Sequence, residues 1–97
     1  MKAVFISYNQ ALTERITDIL DSLYIRGFTQ WTEVHGRGSQ NGEPHMGTHT
    51  WPALNNVHLC IVDDEKVGPL LHRLRVLNQE AEEHGLRAFL WNAEEGL

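Results

Sequence analysis

Residues 57–77 read VHLCIVDDEKVGPLLHRLRVL, and the change of pattern inside this stretch decides the fold. Val57 to Val62 is a short apolar run that suits a buried strand. Asp63-Asp64-Glu65 then offers an N-cap followed by acidic residues that suit the positive end of a helix dipole. Val67, Leu70, Leu71, Leu74 and Leu77 recur at the spacing of a core-facing helical stripe. Pro69 is tolerated in a first helical turn, which agrees with a start near Asp64, and His84-Gly85 supplies a C′ glycine at the far end.

Working outward, Leu86 to Trp91 reads as a further strand and Asn92 to Leu97 as a short tail. Upstream, Gly36 to Asn55 is rich in Gly, Pro, Asn, Ser and Thr without periodicity, so it predicts a long loop; loops of about 20 residues in compact domains are usually functional or disordered. Phe28 to His35 predicts the strand before it, with Gly27 as the C′ residue of a helix over Ala11 to Arg26. That helix carries Leu12, Ile16, Ile19, Leu20 and Leu23 on one side. Ala3 to Tyr8, with Val4, Phe5, Ile6 and Tyr8, predicts the first strand.

The order is βαββαβ. Two helices with one apolar face each must cover one side of a single sheet, so the expected fold is α+β and ferredoxin-like. It consists of an antiparallel four-stranded sheet, two helices on one face and a long loop between strands 2 and 3. The other sheet face then has no cover, and Phe5, Trp31 and Trp91 are positioned to make it apolar, which favours an oligomer.

Ninety-seven residues bound the chain to one domain, 1–97, because a second core could not close with so little surface. Eight Lys+Arg against 13 Asp+Glu give a net charge of −5 without a basic cluster, which excludes a phosphate-backbone footprint and hence nucleic acid as partner. Cys60 stands alone in an apolar run, so no internal disulfide is expected and a reducing compartment suits it. No apolar segment approaches the roughly 20 residues of a membrane span, so a cytoplasmic protein without membrane insertion is expected. There is no nucleophile elbow, no Ser-His-Asp order on plausible elements and no carboxylate pair in an apolar setting, so the chain does not read as an enzyme.

With these elements placed, Gly27-Phe28-Thr29 and the run Glu33-Val34-His35-Gly36-Arg37-Gly38-Ser39-Gln40-Asn41-Gly42 resemble the PII signal-transduction family, in a divergent PII-like branch. The match is to that family's Glu-Val-x-Gly-x-Gly-Arg-Gln-x-Gly segment entering its T-loop. Leu54 to Glu65 is similar to the strand leaving that loop and the acidic start of the following helix. The resemblance implies a homotrimer with sheets facing inward and ATP or ADP in the clefts between subunits. It also implies a T-loop, here 36–55, that contacts a regulated protein such as a membrane transporter.

Carried over by position, it implies ligand contacts at Thr29, Gly36, Arg37, Gly38, Gln40, Gly42 and Arg87. The glycines would supply backbone freedom, Gln40 a polar contact, and Arg37 or Arg87 the charge toward an anion. Ser39 stands where the family has a phosphate-binding arginine, and 92–97 has no counterpart of its C-terminal arginine pair. No tyrosine lies in the loop, so regulation by tyrosine modification is not expected.

A second reading rests on His45 and His49, four residues apart around Met46, with His35 at the start of the loop. Imidazole and thioether groups suit zinc or copper, so the alternative is a metal-binding or metal-responsive protein linked to heavy-metal transport. Pro and Gly make the segment a loop, where that spacing is not diagnostic, and exposed loop histidines explain the pattern more simply. His58 and His72 read as structural, and Cys60 as a small buried hydrophobe.

Overall fold

The computed structural model describes residues 1–36, 46, 53–81 and 85–97. β1 (Lys2–Asn9) is the strand on which the sheet is built. It pairs antiparallel along its whole length with β3 (Asn55–Val62) and on its other side with β4 (Arg87–Asn92). β2 (Phe28–Val34) pairs antiparallel with the outer side of β3, giving the order β2-β3-β1-β4. A 3-10 turn over Gln10–Leu12 and α1 (Thr13–Ser22) join β1 to β2, and α2 (Asp64–Glu80) joins β3 to β4. This is the expected ferredoxin-like βαββαβ fold.

Register decides which residues share a face. Val4, Ile6 and Tyr8 stand opposite Cys60, His58 and Asn56, and all six are buried. The apolar members join Ile16, Ile19 and Leu20 of α1 and Leu70, Leu74 and Leu77 of α2 in one core cluster, so both helices lie against this face. Each fully buried aliphatic side chain contributes about 1.5–3 kcal/mol. Burial pushes the Cys60 thiol up to about 11, which makes it an unreactive filler of that core.

Several local expectations need correction. α1 does not run to Arg26, and Gly27 is not its C′ residue. The helix ends at Ser22, and Tyr24, with φ 57, takes the left-handed position. The Tyr24 amide donates to the Asp21 carbonyl at 3.0 Å and the Ile25 amide to the Leu20 carbonyl at 2.9 Å, a Schellman pair. Leu20 and Ile25 are both buried in the core, so their packing ends the helix where it does, against the preference for glycine. α2 ends at Glu80 rather than near His84; Gly85 does adopt φ 63, but beyond the helix, and 82–84 lie outside the described residues. Pro69 falls in the second turn, so the Glu65 carbonyl loses its helical partner there, at an exposed position open to water.

β2 ends at Val34, one residue short of expectation, after a bulge between Trp31 and Val34 in which Glu33 adopts φ 56. β3 begins at Asn55, two residues before the apolar run, because both of its asparagines pair with β1.

Beneath the helices, Tyr8 Oη lies 2.8 Å from His58 Nδ1, the rings stack at 5.6 Å between centroids, and Phe28 meets His58 edge-on. His58 Nε2 is buried and has no hydrogen-bond partner among the described residues. Burial holds the His58 pKa below its ordinary value, so the folded protein keeps this imidazole neutral.

Tyr24→Gly relieves a left-handed conformation that costs an ordinary residue about 1–2 kcal/mol, and is expected to raise the urea midpoint without changing the m-value. Gly27→Ala, with open space around the added Cβ, is expected to be near neutral in the same titration; a fall for Tyr24→Gly would refute the assignment. For His58, the unfolded chain gains a proton near pH 6.5 while the folded chain resists it. Stability is therefore full above about pH 6.5 and falls as the pH drops toward the folded-state pKa, by up to about 1.4 kcal/mol per pH unit. Urea melts across this range are expected to show that slope, and His58→Leu to flatten it.

Candidate functional site

On the face away from the helices, a cavity of about 280 Å³ opens where β1 finishes and β4 begins. Its walls are Phe5, Ser7, Gly36, Asn55, Gly85, Arg87 and Phe89. Alternation along β1 turns Phe5 and Ser7 to this side, and antiparallel register sets Phe5 opposite Phe89 and Ser7 opposite Arg87. Arg87 is half-buried, and its Nη1 donates to the Leu86 carbonyl at 2.9 Å, which draws the guanidinium back along the strand end.

Two glycines form the rest of the rim. Gly85 has φ 63, a conformation that favours glycine. At Gly36 a Cβ would collide with Asn55 Nδ2, so a side chain there would force the Asn55 amide to move. Asn55 is buried, and its Nδ2 donates to Ser7 Oγ at 3.4 Å. One guanidinium, a hydroxyl, an amide, exposed backbone and two phenyl rings suit an anionic ligand that also carries a flat apolar part.

Of the residues implied by position, Gly36 and Arg87 therefore meet in one cavity. Thr29 lies exposed on the same sheet face but on β2, opposite Leu59 and away from this cavity. Arg37, Gly38, Gln40 and Gly42 lie outside the described residues, as do His45 and His49. His35 is exposed just after β2. Among the described residues no three metal-ligating side chains come together. Ser7, Asn55, Phe5 and Phe89 were not anticipated as lining residues; the alternation of β1 places the first and third on one face, whereas Asn55 emerges only from the register.

The same face carries several large exposed apolar side chains. Trp31, Ile61, Phe89 and Trp91 are 47%, 52%, 61% and 50% exposed, and the expected trio of Phe5, Trp31 and Trp91 does share this side. A further groove of about 320 Å³ runs between α1 and α2 on the outer helical surface. Its charges are largely engaged internally, Arg15 with Glu80 and Arg73 with Ser22. No described helix is long and apolar enough to cross a membrane.

No protein-family model matches the sequence, and no curated protein does. Solved structures do. CPII, a nitrogen regulatory PII-like protein from Thiomonas intermedia K12, in a structure bound to ADP, AMP and bicarbonate, superposes with a TM-score of 0.76 at 25% identity over 99% of this chain and 92% of its own. A second CPII structure, bound to ADP and bicarbonate, gives 0.74 at 27% identity over 93% of this chain and 82% of that one. A protein of Thermus thermophilus described as PII-like shares the fold, at 0.68 and 21% identity over 95% of this chain and 85% of its own. In fold and along nearly the whole chain, this chain is similar to the PII-like nitrogen regulatory proteins, as a divergent member of that likeness.

Proposed function

We propose that this chain is a regulatory protein that binds an adenine nucleotide against the Arg87 cavity of a homotrimer and acts on a protein partner, a membrane transporter being the expected class, through 36–55. The observation that carries the reading is the convergence of Gly36, Gly85 and Arg87 on one cavity. Two of these, Gly36 and Arg87, are positions at which the family resemblance implies ligand contact. CPII, similar along its length, has been solved with ADP, AMP and bicarbonate.

The geometry supports the assembly as well as the ligand. A cavity of about 280 Å³ falls at the low end for a small-molecule site, so a whole nucleotide needs a second wall. A second copy laid against the exposed tryptophans would supply it and cover apolar surface at the same time. Arg87 would pair with a phosphate, and Phe5 and Phe89 would pack beside the flat portion. Occupancy alters the partner-binding segment only so far as the nucleotide favours one arrangement of it over another.

Calorimetric titration with ADP, with mass read by light scattering on the same sample, tests this reading. The wild-type protein is expected to bind ADP as a trimer. Arg87→Ala is expected to lose about tenfold or more in affinity, the worth of one charge-assisted contact, while remaining trimeric. Trp91→Glu is expected to lower the mass and the affinity together. A folded wild-type protein that ignores ADP would overturn the nucleotide reading.

A further inference from the structure

Asn55 and Asn56 are consecutive residues of β3, so their side chains stand on opposite faces of the sheet. Both are buried. On the open face, the Asn55 amide lies so close to Gly36 that a side chain there would displace it, and it bonds to Ser7, so it forms the floor on which the Gly36 backbone rests. On the helical face, Asn56 Oδ1 accepts from the Glu33 amide at 3.0 Å, and its Nδ2 donates to Thr13 Oγ1 at 2.8 Å. Thr13 Oγ1 donates to the Gln10 carbonyl at 2.6 Å, and the Gln10 amide donates to the Leu54 carbonyl at 2.9 Å. The hydrogen bonds thus run from Glu33 through Asn56, Thr13 and Gln10 to Leu54, joining the chain just before 36–55 to the chain at its end.

Glu33 is the strained member, with φ 56 in the bulge. A non-glycine residue keeps such a conformation only where its surroundings hold it there, and the bond to Asn56 is the hold. Buried amides are costly to leave unpaired, so neither asparagine can turn away without penalty.

We propose that Asn55-Asn56 is a two-sided positioning device: Asn56 fixes the Glu33 bulge and so sets where Gly36 presents its backbone to the cavity, and movement at the cavity is passed to the start of α1. This rests on the nucleotide reading for its ligand. Asn56 never touches that ligand, because the sheet lies between them. A ligand that shifts Gly36 must shift Asn55, and the shared peptide carries the displacement to Asn56, Glu33 and Thr13.

The test combines ADP calorimetry with amide hydrogen exchange on the full chain. Asn56→Ala is expected to weaken ADP binding about fivefold or more and to speed exchange at the Glu33 and Gln10 amides. Thr13→Val, close in shape, removes the Asn56 acceptor together with the bond to the Gln10 carbonyl, leaves the Asn56–Glu33 bond in place, and keeps the question answerable where Asn56→Ala fails to fold; it is expected to shift both readouts in the same direction. Val62→Ala, a core truncation at the far end of β3, is expected to lower stability and leave ADP affinity unchanged. In the wild-type protein, ADP is expected to slow exchange at the Gln10 amide, an effect Asn56→Ala abolishes. Wild-type ADP affinity in both Asn56→Ala and Thr13→Val, or a Gln10 amide indifferent to bound ADP, overturns the proposal. Should the wild-type chain not bind ADP, the nucleotide reading falls, and unchanged exchange at Glu33 and Gln10 in the variants would dismiss the positioning role as well.

Discussion

The two crossovers of this chain begin on strands that point in opposite directions and step in opposite directions across the sheet: from β1 past β3 to β2, and from β3 past β1 to β4. Crossovers between parallel strands are right-handed in about 98% of cases. With both of the same hand, reversing strand direction and step together leaves the side unchanged, so both helices fall on one face. The whole described core gathers there, from Val4 and Ile6 to Leu74 and Leu77. The opposite face receives nothing from the described elements, and Trp31, Ile61, Phe89 and Trp91 remain as large exposed apolar residues on the same face as the Arg87 cavity. Proposed assembly and proposed ligand site are two consequences of the same handedness rule.

β2 is the strand that this constraint serves least. Every residue from Phe28 to Glu33 is exposed, and β2 pairs on one side only, with β3. Its position is instead fixed at both ends by residues in the left-handed region, Tyr24 before it and Glu33 within it. At about 1–2 kcal/mol each, those conformations are substantial beside the 5–15 kcal/mol that separates folded from unfolded chains. Burial of Leu20 with Ile25 offsets the first, and the Asn56 carbonyl oxygen answers the second. Since β2 carries Trp31 and leads into 36–55, the strain sits where the chain must be aimed rather than where it must be stable.

Where the sequence was legible, a single periodicity governed the outcome. The apolar run Val57–Val62 and the leucine stripe of α2 are repeated patterns, and no tertiary contact competes with them. Alternation likewise placed Phe5, Trp31 and Trp91 on one face. The end of α1 departs from its sequence pattern because a local preference, glycine at C′, met a tertiary demand, the burial of both Leu20 and Ile25 in the core, and burial prevailed. Asn55 reads as the last loop residue by composition and Asn56 lies just before the apolar run, yet both are strand residues because β1 is long enough to pair with both. The cavity was half legible. Gly36 and Arg87 are marked by their place in a pattern, whereas Ser7 and Asn55 become neighbours only through register, which one sequence does not encode locally.

The composition of the cavity also bears on what it can discriminate. Among its described lining residues Arg87 is the sole cation. One charge-assisted contact supplies about 1.5–3 kcal/mol, enough to prefer an anion and too little to count phosphates. What the described residues add to that charge for the proposed ligand is shape: the distance between the Phe5 and Phe89 rings and the guanidinium, and the backbone height at Gly36. The first is set by the rigid pairing of β1 with β4. The second is set by Asn55, which ties the selectivity of the open face to hydrogen bonds made on the other side of the sheet.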